Sequence, residues 1–171
     1  MGFFVAQDIY LSHLNELIKQ IATCLNDSGI LLVTAESCTG GLISGYLTEI
    51  PGSSTWFERG FVTYSNLAKQ EMLSVSAELL TQFGAVSEEV AAAMAVGALR
   101  HSAGHVALSV TGIAGPDGGS IDKPVGTVCF GWAMQHSSPV TLKMQFNGTR
   151  HDIRQAACYQ ALQGVLSLLK P

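Results

Sequence analysis

The chain of 171 residues is 47% hydrophobic and 13% charged, with a formal net charge of −4, which is enough apolar material for a full core in one domain spanning 1–171. The acidic balance excludes long-range attraction for nucleic acid as the basis of function, while a local pocket for a small anion stays open. No stretch reaches the roughly 20 apolar residues that span a bilayer, and Met1 to Tyr10 lacks the positive flank and long apolar region of a signal peptide, so no membrane partner is expected and the cytoplasm is the expected compartment. Cys24, Cys38, Cys129 and Cys158 are scattered with no Cys-x-x-Cys pair, as reduced, mostly buried thiols would be. No metal-ligand set stands out: His101 and His105 are four apart, but Gly104 between them is expected to end a helix.

Leu14, Leu17, Ile18, Ile21 and Leu25 fall on one stripe of an amphipathic helix, with Gly29 where a C-terminal cap belongs. Ile30 to Val33 is short and β-branched enough for a buried strand. Thr34-Ala35-Glu36-Ser37-Cys38-Thr39-Gly40-Gly41 follows, and then Leu42, Ile43, Tyr46, Leu47 and Ile50 recur at helical spacing. A strand that ends in hydroxyls and paired glycines before entering a helix places free N–H groups at the positive end of a helix dipole. Gly40 and Gly41 therefore mark a candidate anion pocket, with close helix-on-strand packing as their competing role. The helix stops at Pro51-Gly52 and is followed by Ser53-Ser54. Gly60 to Tyr64 reads as a strand, and Ser65-Asn66 can cap a helix that carries Lys69 in its first turn.

Leu67 to Leu73 and Ala77 to Phe83 read as short helices, and Ser87-Glu88-Glu89 opens a longer one whose Val90, Met94, Gly97 and Ala98 form a narrow, close-packing stripe. Val106 to Thr111 is a third strand and makes a second strand-to-loop junction, running into Gly112-Ile113-Ala114-Gly115-Pro116-Asp117-Gly118-Gly119 and on to Pro124, a loop long and glycine-rich enough to hold a ligand. Val125 to Met134 returns as a strand, and a hairpin leads to Val140 to Phe146, whose period-two alternation predicts one face in the core. Asn147-Gly148-Thr149-Arg150 introduces a last helix, with Arg150 and Arg154 near its first turn. The order of elements predicts a layered α/β/α domain on a mixed sheet, parallel first and antiparallel late.

Each candidate has a plainer role. Ser53 and Ser54 suit a turn after Pro-Gly, Tyr64 suits a strand edge, Lys69 suits a solvated helix face, and Cys38 suits a small buried position. The glycine-rich segment is neither a Walker A loop nor a Gly-x-Gly-x-x-Gly fingerprint, which argues against ATP and dinucleotide ligands. Serines, a tyrosine and a lysine nevertheless fall within one βαβα unit.

Across Thr34 to Gly41, Tyr64-Ser65-Asn66-Leu67-Ala68-Lys69, Thr111 to Gly119, Lys123-Pro124-Val125-Gly126-Thr127 and Gly148-Thr149-Arg150, the chain closely resembles the CinA C-terminal-domain family. The resemblance covers nearly everything after the first helix. It implies that family's fold and a nicotinamide-nucleotide amidase activity of the PncC type, in which nicotinamide mononucleotide and water give nicotinate mononucleotide and ammonia. It also implies the stand-alone form, without the molybdopterin-binding-like domain of full-length CinA proteins. Carried over by position, the resemblance makes Ser54 the nucleophile, Lys69 the base and Tyr64 a third catalytic group. Ser37, Thr111 and Arg150 match pocket-lining positions, and Thr39, Gly40, Gly41, Gly112 and Gly115 join them as substrate-binding candidates. Glu58-Arg59-Gly60 departs from the glycine pair often found before the strand that bears the tyrosine.

These residue types fit amide hydrolysis, which needs an activated nucleophile, an oxyanion site and a proton for departing ammonia. A serine with a neutral lysine supplies the first and last without metal or cofactor. The lysine must drop by about 2 to 3 units from about 10.4 to act near neutrality. Ser54 and Lys69 flank a strand about 17 Å long, so Thr55 to Arg59 must run back alongside it. If it does not, Ser37 is the better nucleophile. Two other classes stay open: a hydrolase using a Cys38 thiolate at a helix N-terminus, and a nucleotide-sensing module without turnover. A symmetric homo-oligomer is the default assembly.

Overall fold

The computed structural model describes residues 2–170, with side chains from Ile9 onward; Met1, at the head of the segment weighed as a leader, and Pro171 lie outside the described residues. Its elements in chain order are α1 (Gly2–Ser28), β1 (Leu32–Glu36), α2 (Leu42–Thr48), β2 (Phe57–Val62), α3 (Asn66–Leu73), α4 (Ala77–Phe83), α5 (Glu88–Arg100), β3 (Val106–Gly112), β4 (Thr127–Met134), β5 (Val140–Gln145) and α6 (Arg150–Leu169). A single 3-10 turn, Ser53–Thr55, precedes β2.

The strands form one sheet in the order β2-β1-β3-β4-β5. β1 runs parallel to β2 and β3, and β3–β4 and β4–β5 are antiparallel. The sheet is thus mixed in the sense expected, parallel early and antiparallel late. β1 begins and ends later than Ile30–Val33. The Ile30 N–H closes α1 on the Leu25 carbonyl, and the strand continues through Thr34, Ala35 and Glu36 because β2 and β3 pair with it on both sides. β2 likewise starts at Phe57, where it meets Leu32, and ends at Val62, just before Thr63 N–H donates a last bond to the Glu36 carbonyl at 2.7 Å.

Alternation along the strands sorts side chains to two faces. Leu32, Val106, Leu108, Val110, Val128, Phe130 and Trp132 face α1, α2 and α6, forming one core with Leu14, Ile18, Ile43, Leu47, Ala157 and Val165. Val33, Ala35, Ala107 and Ala133 face α3, α4 and α5, forming a second core with Leu73, Leu80, Val90 and Met94. The second face is built from small residues, and α5 comes close to it. A Cβ on Gly131 would stand 2.5 Å from the Ala91 carbonyl oxygen, and one on Gly97 would stand 2.1 Å from the Leu73 carbonyl oxygen. The close-packing stripe read from α5 is therefore real, and it approaches both sheet and helix.

β5 departs from expectation. Met144 and Phe146 pack against the first core, but Val140 is 53% and Leu142 37% exposed. β5 is an edge strand, and the helices on that face lie over its inner neighbours. Among the described residues, no helix is long and apolar enough to cross a membrane.

Candidate active site

The C-terminal ends of β1 and β3 meet where the chain order of the sheet changes direction, from β1 outward to β2 on one side and to β3 on the other. Such a switch point leaves a crevice beyond the strand ends. Here it holds a cavity of 260 Å³ lined by Ser37, Cys38, Tyr64, Asn66, Lys69, Ala85, Val86, Thr111, Gly112, Ala114 and Arg150.

Ser37 is the first residue past β1, and its N–H donates to the Val110 carbonyl at 2.9 Å, which ties it to β3. Lys69 comes from the other side of the sheet. Ser65 caps α3 by accepting from Ala68 N–H, and Lys69 and Leu73, four residues apart, share the buried face of that helix. Lys69 is only 1% exposed. Its Nζ lies 3.0 Å from Ser37 Oγ, 2.9 Å from the Thr63 carbonyl oxygen and 3.5 Å from the Tyr64 carbonyl oxygen. Burial holds this amine below the usual lysine range. A buried hydroxyl and a buried amine with lowered basicity are thus in hydrogen-bond contact at the floor of the cavity.

The wall opposite is fixed by backbone contacts. Thr111 Oγ1 donates to the Ala85 carbonyl at 2.8 Å. Arg150, at the start of α6, donates through Nη1 to the Gly115 carbonyl at 2.7 Å, and its Nη2 lies 3.4 Å from the Tyr64 hydroxyl. Tyr64 itself is 63% exposed at the cavity mouth.

The pairing of Ser54 with Lys69 is corrected by this geometry. Ser54 sits exposed in the 3-10 turn before β2, and Phe57 just beyond it pairs with Leu32 at the start of β1. β2 runs parallel to β1, so its six residues, about 20 Å of strand, carry the chain from Ser54 to the end where Lys69 lies. Ser37 takes the place beside the lysine.

The anion pocket expected at Gly40 and Gly41 is also corrected. Both glycines are in the left-handed region, at φ 61° and 95°, and the turn they allow folds the helix start back onto Glu36. The Glu36 carboxylate, fully buried, accepts from Gly41 N–H, Ile43 N–H, Ser44 N–H and Ser44 Oγ at 2.7–3.1 Å. Gly40 N–H is committed to the Ser37 carbonyl. A side chain of this protein already fills the positive end of α2. The sequence reading missed Glu36; an acid carried inward by a strand immediately before a helix start was its only signal.

Of the other candidates, Gly112 lines the cavity, while Gly115 meets it only through the carbonyl that holds Arg150. Thr39 does not line it, and its hydroxyl is buried with no partner among the described residues. Gly40 and Gly41 instead border a larger hollow of 580 Å³ between α1 and α2, whose lining has no nucleophile paired with a base. Burial pushes the Cys38 thiol up to about 12, so it is a neutral thiol near pH 7 and no ready nucleophile.

The profile of the CinA C-terminal domain matches residues 14–169. The chain is 53% identical over 153 residues to a nicotinamide-nucleotide amidohydrolase PncC of Enterobacter agglomerans, covering 90% of this chain and 93% of that protein. It is 50% identical over 152 residues to the protein of that name from Escherichia coli strain K12, covering 89% and 92%. A CinA-like protein of Geobacter sp. strain M21 is 49% identical over 154 residues, but these make up only 37% of its length. Among solved structures, the competence/damage inducible protein CihA of Agrobacterium tumefaciens superposes with a TM-score of 0.89 at 47% identity, covering 91% of this chain and 94% of that one. A CinA superfamily protein of Escherichia coli superposes at 0.87 with 36% identity, covering 91% and 90%. By sequence over most of its length and by fold, the chain belongs to the CinA C-terminal domain family.

Proposed function

We propose that the chain is a nicotinamide-nucleotide amidase, hydrolysing the carboxamide of nicotinamide mononucleotide to nicotinate mononucleotide and ammonia in pyridine nucleotide salvage, with Ser37 as nucleophile and Lys69 as its base. The names of the 53% and 50% identical relatives support the substrate. The observation that carries the mechanism is a buried Lys69 Nζ at 3.0 Å from Ser37 Oγ. A neutral amine has two hydrogens and one lone pair. The Thr63 and Tyr64 carbonyls can take the hydrogens, which leaves the lone pair for the Ser37 hydroxyl. The lowered basicity that burial imposes favours that neutral state.

Ser37 Oγ adds to the carboxamide carbon while Lys69 accepts the hydroxyl proton, and the carbonyl oxygen becomes the oxyanion of a tetrahedral intermediate. The Lys69 ammonium then gives its proton to the departing nitrogen. The C–N bond breaks, ammonia leaves, and the acyl group remains as an ester on Ser37. Water adds next, again with Lys69 accepting its proton. The ester C–O bond breaks, nicotinate mononucleotide leaves, and Ser37 Oγ recovers the proton from Lys69.

The cavity of 260 Å³ falls just below the usual range of ligand sites, about 300 to 1,000 Å³. That suits a mononucleotide better than a dinucleotide. With the α2 N-terminus closed by Glu36, Arg150 is the lining cation free of a carboxylate among the described residues, and it is the group assigned to the substrate phosphate. Tyr64 at the mouth, within reach of Arg150, is assigned to orienting the substrate. The same reading places the reaction in the cytoplasm and in a homo-oligomer, which cell fractionation and light scattering measure.

The test is ammonia and nicotinate mononucleotide production by purified protein, wild type against Ser37→Ala. Turnover by the wild type and its loss in Ser37→Ala are expected. Undiminished turnover in Ser37→Ala overturns the nucleophile, and tight binding without any turnover by the wild type establishes a sensor instead.

A further inference from the structure

Glu36 and Val110 are the last pair of the parallel β1–β3 ladder, so Ser37 and Thr111 follow side by side on neighbouring strands, which lie about 4.8 Å apart. Val110 faces the first core, and alternation turns Thr111 to the opposite face, toward Ala85. Ser37 faces the same way, since its Oγ meets Lys69 on α3. Arg154 of α6 braces the turn after Ser37 through the Cys38 and Thr39 carbonyls, at 3.1 and 2.8 Å, and so keeps Ser37 in that place. Both hydroxyls line the cavity of 260 Å³. Thr111 is 1% exposed, as Lys69 is, and belongs to the floor of the cavity rather than its rim.

The two hydroxyls differ in what they offer. A threonine hydroxyl has one hydrogen and two lone pairs. The Thr111 hydrogen goes to the Ala85 carbonyl at 2.8 Å, and among the described residues no other donor reaches that carbonyl. No donor among them reaches Thr111 Oγ1 either, so what this hydroxyl shows the cavity is lone pairs alone. Such an acceptor beside Ser37 fits a group that brings hydrogens and opposes one that brings only lone pairs. A carboxamide carries two hydrogens on nitrogen, whereas the carboxylate made from it carries two acceptor oxygens and a negative charge. The two differ little in size, so shape alone separates substrate from product poorly. A buried acceptor left facing another acceptor separates them well.

We propose that Thr111 is the residue that selects carboxamide over carboxylate: its hydroxyl oxygen accepts a hydrogen bond from the substrate's amide nitrogen and opposes the acid product. This rests on the assignment of Ser37 as nucleophile, which puts the reacting carbon beside Ser37 Oγ. As the nitrogen takes its proton from Lys69 it becomes a stronger, charged donor, so the contact strengthens toward C–N cleavage. No proton passes to Thr111. After ammonia leaves, the same oxygen holds one hydrogen of the attacking water while Lys69 takes the other. Once the ester is cleaved, a carboxylate oxygen meets an acceptor, which favours release of the product.

The experiment measures kcat and KM for nicotinamide mononucleotide and the inhibition constant of nicotinate mononucleotide, with thermal melts alongside, in the wild type, Thr111→Val, Thr111→Ala and Thr111→Ser. In the wild type the acid should bind about 10-fold or more weakly than the amide. Thr111→Val keeps the shape without the hydroxyl, and its kcat/KM should fall by roughly 10- to 100-fold, as for loss of a hydrogen bond to a group that becomes charged. The ratio of acid inhibition constant to amide KM should fall by about 10-fold with it, in Thr111→Val and Thr111→Ala alike. Thr111→Ser, which keeps the hydroxyl, should restore both. A role confined to holding the Ala85 carbonyl would weaken the two ligands together, so an unchanged ratio in either folded variant overturns the proposal, whatever the loss in rate. A wild type that binds the acid as tightly as the amide overturns it with no variant needed. Full turnover in Ser37→Ala would instead overturn the nucleophile, while the selectivity ratio still reads Thr111, so the two failures are distinguishable.

Discussion

A lysine that is 1% exposed and bonded to a hydroxyl and two carbonyls, with no carboxylate, is a poor place to keep a positive charge. Lys69→Ala should lower kcat by roughly 10³-fold or more, as loss of one member of a nucleophile–base unit does. Lys69→Arg should fail almost as badly, because guanidinium keeps its proton at any usable pH. Near-normal turnover by Lys69→Arg would return the residue to a structural role. Ser37→Ala should be as inactive as Lys69→Ala and the double variant scarcely worse, whereas Ser54→Ala, altering an exposed turn at the far end of β2, should keep wild-type kcat. A dead Ser54→Ala would restore the pairing that the geometry rejects. The same burial fixes the pH dependence: because it lowers the Lys69 pKa, the neutral base is populated at lower pH than for an exposed lysine. Activity should therefore rise with pH through that lowered value and level off above it. A rate that falls over the same limb would require protonated Lys69 in the first step.

Among the elements, the start of α2 is where side chain and backbone are most tightly committed to each other. Four donors converge on the Glu36 carboxylate. Glu36→Gln replaces one acceptor oxygen with an NH₂ that faces donors, and should cost about 2–3 kcal/mol, read as a lower denaturation midpoint with an unchanged slope. A glutamine variant as stable as the wild type would mean the carboxylate is dispensable there. This junction also shows what the sequence discloses and what it hides. That a strand ends at hydroxyls and a helix begins after paired glycines is local information, carried by apolar spacing and by Gly40-Gly41, and it was legible. Which acceptor the helix start would find was not, because it depends on Glu36 being drawn inside by strands paired on both sides of β1. The same division holds for α3, where the Ser65 cap was readable but the inward face of Lys69 depends on α3 docking against α5. Ser54 came from the family resemblance alone, and the strand parallel to β1 that lies between it and Lys69 keeps the two apart in space.

For the molecule as a whole, substrate choice depends on what the cavity offers each part of the nucleotide. Arg150 reaches it from α6, already held by the Gly115 carbonyl, so its guanidinium is fixed in direction before any ligand arrives. Nicotinamide riboside should be a much poorer substrate than the mononucleotide. Arg150→Ala should raise KM for the mononucleotide by roughly 10- to 100-fold, an interaction of about 1.4–2.7 kcal/mol, while changing the riboside little. Equal efficiency on both substrates by the wild type would show that no phosphate contact contributes. Beyond specificity, the proposed nucleophile, Ser37, and its proposed base, Lys69, are held by opposite halves of the architecture. The turn after Ser37 is tied to α6, in the layer formed with α1 and α2, whereas Lys69 rides on α3, in the layer formed with α4 and α5. On the proposed assignment, turnover is a coincidence signal that requires both layers to be seated on the sheet together. A chain with one layer detached keeps much of its secondary structure yet has half a catalytic unit. During synthesis or partial unfolding it exposes no working nucleophile to the amides around it, and loss of activity should precede loss of helix signal on gentle denaturation.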